Sequence, residues 1–128
     1  MTSRAAQARV RLAPLGLIAV GGFAGAVLRH AIALELQGTF PWGTLAANVL
    51  GSFLLGVLLY EAHLRDLLGP ETRLLVGTGF CSSLTTFSTF ALETSSLSPL
   101  LATANVALTF ALGFGAILVG QVVARWAV

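Results

Sequence analysis

The residues with the most chemistry to offer lie in one run: Cys81, Ser82, Ser83, Leu84, Thr85, Thr86, Phe87, Ser88, Thr89 and Phe90. Six hydroxyl side chains fall in the eight positions from Ser82 to Thr89. A lone Ser or Thr in a helix usually bonds to its own backbone one turn back, but so dense a cluster in an apolar chain points to a site. At helical spacing Ser82, Thr86, Thr89 and Glu93 form one polar stripe. Ser83, Phe87, Phe90 and Thr94 repeat the same offsets beside it, so the two rings project together. An aromatic ring has a negative face and a positive edge. Two aligned ring edges beside a hydroxyl track can therefore support an anion without offering it a full charge.

Further candidates among the polar residues inside apolar stretches are Arg29, Asn48, Asn105 and Thr109. Such residues are costly in lipid and are functional-site candidates for that reason. Arg29 is the one cation within a span; it either snorkels to the interface or draws anions toward a pore. Asn48 shares a helical face with Gly51 and Ser52, which allows an interhelical hydrogen bond or contact with a ligand. Asn105 and Thr109 stand at i and i+4. Glu35, Glu61 and Glu93 all fall near span ends, where they can reach water, which leaves no carboxylate at mid-membrane for proton coupling.

Nothing in the pattern suits an enzyme. His30 and His63 lack metal-ligand spacing, no nucleophile has a partnered base, and the glycines follow no phosphate-binding pattern. Cys81 is the single cysteine, which excludes an intrachain disulfide, and it has no second ligand for a structural metal.

The elements that must carry these residues are membrane helices. The chain has 128 residues, 56% hydrophobic and only 9% charged, with a mean hydropathy of +0.90, far from the composition of a soluble domain. A hydrocarbon core about 30 Å thick takes roughly 20 residues of helix. Four such stretches, near 15–36, 42–60, 74–93 and 99–123, fill a single transmembrane domain whose solvent is membrane lipid. Gln37 to Thr39, Glu61 to Arg73 with Gly69 and Pro70, and the Ser95–Pro99 cluster are the connections, short enough that neighbours run antiparallel. Trp42, Tyr60 and Trp126 sit at span ends, where amphipathic rings prefer the headgroup level.

The first 33 residues imitate a signal peptide, but Arg29 and His30 interrupt the apolar run just before the small-residue Ala31–Ala33 site, so the segment reads as a span. Its tail arginines, Arg4, Arg9 and Arg11, suit a membrane surface. No basic face continues beyond them, so nucleic acid is not a partner. Glycines and alanines crowd all four spans, and in lipid such close-packing surfaces supply helix association. Hydroxyls compete for backbone hydrogen bonds in the third span, which predicts an all-α membrane protein with a break or distortion in its third helix.

Three sets of residues together resemble the Fluc family of fluoride channels, also called CrcB proteins. They are Gly21, Gly22, Gly25, Ala26 and Arg29; Gly43, Thr44, Asn48, Gly51 and Phe53; and the specific run Thr85, Thr86, Phe87, Ser88, Thr89, Phe90. The resemblance covers nearly the whole chain from Gly16 onward. It implies a passive channel through which cytoplasmic fluoride leaves the cell, conferring fluoride resistance, built as an antiparallel, dual-topology dimer with two pores in the inner (plasma) membrane. It implies that Phe87 and Phe90 line the fluoride path, that Asn48 contacts the ion and that Arg29 stands near the vestibule. Thr86, Ser88, Thr89 and Thr109 would belong to the polar track. It further implies a third helix broken mid-membrane and a structural sodium ion at the dimer interface, held by the backbone carbonyls of Ser82 and Thr85. Here Ser82 and Ser83 stand where the family usually has a Gly-Gly pair.

Arg4, Arg9, Arg11, Arg65, Arg73 and Arg125 all fall on one side of the membrane, with no arginine opposite them unless Arg29 is counted. The positive-inside rule then places both termini in the cytoplasm. The second, antiparallel subunit is accordingly either another copy or an oppositely oriented relative. Two other readings remain at this stage: a small four-helix multidrug-type exporter, which would need a membrane-embedded carboxylate, and a structural membrane subunit that transports nothing.

Overall fold

The computed structural model describes residues 4–64 and 67–127, and side chains within 12–61 and 67–127. The side chains of Arg4, Arg9, Arg11, His63 and Arg65 lie outside the described residues. The described residues form helices with no strand. Helix α1 is Arg4–Glu35 and α2 is Trp42–Leu64. Helix α3 covers residues 70–84 in three segments: an α-helical turn Pro70–Thr72, a π-helical stretch Arg73–Cys81 and a last α-helical turn Ser82–Leu84. Helix α4 is Phe87–Ser96 and α5 is Pro99–Ala127.

Four stretches are long and apolar enough to cross a membrane: Leu12–Glu35, Trp42–Glu61, Pro70–Ser96 and Pro99–Ala127. No more than 33% of the most apolar window of any of them is buried within the chain. Large apolar side chains such as Phe23, Leu100 and Leu118 face outward. In water that exposure would be uncompensated; in lipid it carries no penalty.

Glycine sets how close the helices come. The most extensive packing is between α2 and α5 and between α1 and α3. A Cβ on Gly56 would overlap the carbonyl of Ile117, and one on Gly120 would overlap that of Phe53, so α2 and α5 touch backbone to backbone. Gly25 meets the carbonyl of Phe80, and a Cβ on Gly79 would lie 2.7 Å from Ile18 O, which seats α1 against the π-helical stretch. Close approach maximises dispersion contacts, the attraction available where the surroundings are as apolar as the side chains.

Helix α3 begins where Pro70 takes the first helical position after Gly69, which has an extended backbone (φ −65°, ψ 162°); a proline there loses no hydrogen bond. The helix stops at Thr85 (φ −81°, ψ 152°) and Thr86 (φ −150°, ψ 124°), both extended. This break cuts the stripe that continuous helical spacing predicts. Thr86, Thr89 and Glu93 remain on α4 with Phe87 and Phe90, whereas Ser82 and Ser83 belong to the helix before it. Ser82 is exposed and its hydroxyl donates back to Gly77 O at 3.4 Å.

The acids also differ from expectation. Glu61 is buried: Arg73 reaches its Oε2 at 3.4 Å, and its Oε1 accepts from the Leu68 amide, so the loop after α2 folds over it. Glu93 is half-buried on α4, with Oε2 sealed from solvent and without a hydrogen-bond partner. Glu35 is exposed. Helix packing rather than distance along the span decides which carboxylate reaches water.

Replacing Gly56 or Gly120 with Ala should lower stability by about 1–3 kcal/mol, the usual cost of overpacking. Gly16→Ala, where nothing lies within 4 Å of the added methyl, should be neutral. Thermal unfolding of the detergent-solubilised variants checks this; equal midpoints for all three would show that close contact is not what holds α2 to α5.

Candidate functional site

An extended stretch at membrane depth leaves polar backbone groups that lipid cannot satisfy. Asn48 meets this need from α2. Its Oδ1 accepts from the Thr86 amide at 2.7 Å, and its Nδ2 donates to the Thr86 carbonyl at 3.1 Å. The side chain thus imitates a strand partner and locks the break in an extended form. Gly51, one turn on from Asn48, packs against the Thr85 side chain at the same crossing.

Thr86 then restarts the helix. It is the N-cap of α4, its hydroxyl oxygen accepting from the Thr89 amide at 3.3 Å, which satisfies one of the amides left open at a helix start. The same hydroxyl donates to Thr89 Oγ1 at 3.1 Å and lies 3.4 Å from Ser88 Oγ. Thr86, Ser88 and Thr89 form one hydroxyl cluster at the break, with Ser88 and Thr89 exposed on the chain's surface.

The diverted amides have a consequence for α3. In an uninterrupted helix Thr86 N–H would bond to the Ser82 carbonyl, and Thr89 N–H to that of Thr85. Both amides donate elsewhere, to Asn48 Oδ1 and Thr86 Oγ1. The Ser82 and Thr85 carbonyls are thereby released from their helical partners.

Just past the break, Phe87 and Phe90 project from one face of α4 with ring centroids 5.7 Å apart and planes at 47°. Phe90 is buried, while Phe87 is 73% exposed. A chain of hydrogen bonds fixes the backbone behind Phe90. Thr94 Oγ1 donates to Phe90 O at 2.6 Å and accepts from Asn105 Nδ2 at 2.9 Å, and Asn105 Oδ1 accepts from Thr109 at 3.4 Å. Asn105 is 1% exposed. Its burial is tolerable because both ends of its amide are bonded.

These residues surround a cavity of about 310 Å³ that opens on one side of the chain. Asn48, Thr85, Thr86, Phe87, Phe90 and Thr109 line it, from α2, the break, α4 and α5. The rest of the wall was not anticipated from sequence: Ser52 from α2, and Phe110, Gly113, Phe114 and Ile117 from α5. The α5 residues recur at helical spacing from Phe110, a pattern visible in the sequence but indistinguishable there from an ordinary lipid-facing stripe. No charged side chain lines this cavity among the described residues.

Arg29 is not in it. It lines a neighbouring space of about 220 Å³ with His30, Thr44, Thr89 and Glu93. Thr89 links the two regions, since it bonds to Thr86 at the first and lines the second. Ser88 and Ser82 line neither space.

The chain matches the family described as CrcB-like protein, Camphor Resistance (CrcB), over residues 16–121. A relative from Natronomonas pharaonis named fluoride-specific ion channel FluC 1 is 55% identical over 112 residues, covering 88% of this chain and 94% of its own. One from Halobacterium salinarum named fluoride-specific ion channel FluC 2 is 48% identical over 120 residues, 93% of this chain and 92% of its own. A third, fluoride-specific ion channel FluC 1 from Haloarcula marismortui, is 51% identical over 109 residues, 85% and 84% of the two chains.

Asn48→Ala should destabilise the fold by about 1–3 kcal/mol, because it strands both polar groups of Thr86. Asn48→Gln, with the same amide one methylene further out, should recover part of that loss. Thermal unfolding measures both, and an Asn48→Ala protein as stable as the parent would mean that the break holds itself open.

Proposed function

The chain belongs to the CrcB-like family, and on that premise we propose that it is a fluoride-selective passive channel that exports cytoplasmic fluoride and so confers fluoride resistance. The observation that carries the reading is the uncharged cavity at the break, lined together by two neighbouring rings, an amide and several hydroxyls.

Fluoride is small and holds its water tightly, so a pore must replace that shell with several weak donors; one strong cation would trap the ion. Asn48 keeps a second amide proton beyond the one given to Thr86 O. Thr89 accepts from Thr86 and can turn its own proton toward an ion. Thr109 continues the hydroxyl track on α5. Phe87 and Phe90 offer positive edges without a formal charge. Arg29, set back beside Thr89 and Glu93, raises the local anion concentration at an entrance without standing in the path. At about 100 mV, negative inside, an anion gains roughly 2.3 kcal/mol on leaving, close to a fiftyfold gradient, so export requires no fuel.

The working unit in this reading is an antiparallel dimer with two pores, in the plasma membrane. Its support is that Phe87, Ser88, Thr89 and Ser82 are exposed on the isolated chain, and that the cavity is open on one side. A second subunit would enclose them. The partner is another copy or, as the one-sided arginines favour, an oppositely oriented relative. The released carbonyls of Ser82 and Thr85 suit a sodium ion at the subunit interface, since a hard cation takes oxygen ligands. Their carbonyls rather than their side chains would bind it, so the Ser82–Ser83 pair is compatible with the site. When bound, sodium would supply the positive charge that tethers the two broken helices.

Liposomes loaded with potassium fluoride and containing this chain as the sole protein should release fluoride rapidly after valinomycin is added, and chloride-loaded liposomes should not release chloride. A fluoride electrode reads the first and a chloride electrode the second; equal loss of both anions would end the selective-channel reading. In the same assay Phe87→Ile and Phe90→Ile, which keep bulk and remove the ring edge, should each slow fluoride release by about tenfold or more. Unchanged rates in both would rule out ring edges as part of the path.

A further inference from the structure

Phe90 is the middle of a longer file of rings. Phe87 lies 5.7 Å from it on its own helix, and Phe110 lies 6.2 Å away on α5 with the planes at 85°. Phe114 follows Phe110 at 6.3 Å and 33°. All four line the same cavity.

We propose that Phe110 is a positioning residue of the ion path, its ring crossed on Phe90 so as to set the rotation at which Phe90 presents its edge to the ion. The proposal rests on the fluoride reading given above.

The backbone of Phe90 is well held, because its carbonyl accepts from Thr94, which in turn is bonded by the buried Asn105. That anchors where the ring starts and leaves its rotation open. The bond joining a phenyl ring to Cβ has a broad torsional profile, so neighbours rather than intrinsic preference decide the ring plane. Both rings beside Phe90 are exposed on the isolated chain, Phe87 at 73% and Phe110 at 47%, but they are placed differently. Phe87 neighbours Phe90 on the same helix. Phe110 comes from the facing helix and is backed by Phe114 one turn on.

Phe110 also stands five residues beyond Asn105 on α5. The hydrogen bond that ties α5 to α4 therefore governs the spacing of the two rings as well. Perpendicular rings gain from a positive edge meeting a negative face, and rotation of either one forfeits that contact. The plane of the ring matters for an anion: a quarter turn about the bond to Cβ replaces the attractive edge with the repulsive face. Without its perpendicular neighbour Phe90 would spend time in rotations that oppose the ion. The channel would still assemble, but each pore would pass ions more slowly.

The test compares Phe110→Leu and Phe110→Met, which remove the ring, with Phe110→Tyr, which keeps it, in the fluoride-efflux assay at low protein density. Two quantities are read: the fraction of liposomes that empty, which counts assembled channels, and the rate constant per emptying liposome. Both ringless variants should empty the parent fraction at a rate about tenfold lower, and Tyr should restore the rate to within about twofold. A role confined to packing would lower the fraction and leave the rate unchanged in Leu and Met; that outcome, or a parental rate in both, overturns the proposal. So does a Tyr variant as slow as Leu. Absence of fluoride efflux from the parent protein would instead count against the fluoride reading itself.

Discussion

A polypeptide inside a bilayer must satisfy each of its own amides and carbonyls, because the hydrocarbon offers none in return. A continuous helix meets that demand automatically, and this chain gives it up at Thr85 and Thr86. The break survives because side chains stand in for the lost backbone partners: Asn48 takes both polar groups of Thr86, and the Thr86 hydroxyl takes the Thr89 amide. Most of what is distinctive about the molecule follows from that substitution. It releases the Ser82 carbonyl on α3 and the Thr85 carbonyl in the break from their helical partners, turns the hydroxyls of Thr86, Ser88 and Thr89 into one cluster, and starts α4 at the angle that brings Phe87 and Phe90 to the cavity.

The clamp works only if α2 is close enough to reach the break, and glycine supplies the closeness. Gly51 sits at the Thr85 side chain, while Gly56 and Gly120 let α2 and α5 touch. On the other side Gly25 and Gly79 press α1 onto the π-helical stretch that leads into the break. A wider helix spacing would move the Asn48 amide beyond hydrogen-bond reach of Thr86. The packing residues and the polar residues are thus parts of one arrangement: small side chains bring backbones together, and the amides use the distance so gained.

The electrostatics of the site are deliberately weak. Among the described residues no formal charge lines the cavity of the ring pair, and Arg29 lines the adjoining space with Glu93. Distributed partial charges let a small, strongly hydrated anion exchange water for protein without settling into a deep well. Glu61 serves a different purpose, pairing with Arg73 and receiving the Leu68 amide, which closes the loop between α2 and α3.

Much of this was legible in the order of residues. Four helical spans follow from the lengths of the apolar runs, because bilayer thickness converts directly into residue count. A disturbance of the third span follows from the density of hydroxyls, and the pairing of Phe87 with Phe90 from their separation of three. These are local properties, set by neighbours in the chain. The periodic stripe from Ser82 to Glu93 misled for the same reason, since helical spacing holds only while the helix continues. The identity of the residue that stabilises the break, the burial of Glu61 and Glu93, and the recruitment of Phe110 and Phe114 were decided by tertiary structure. Asn48 and Thr86 are 38 residues apart, and no periodicity connects them; only the approach of α2 to the break, at a distance that glycine permits, makes this asparagine the partner of the Thr86 backbone.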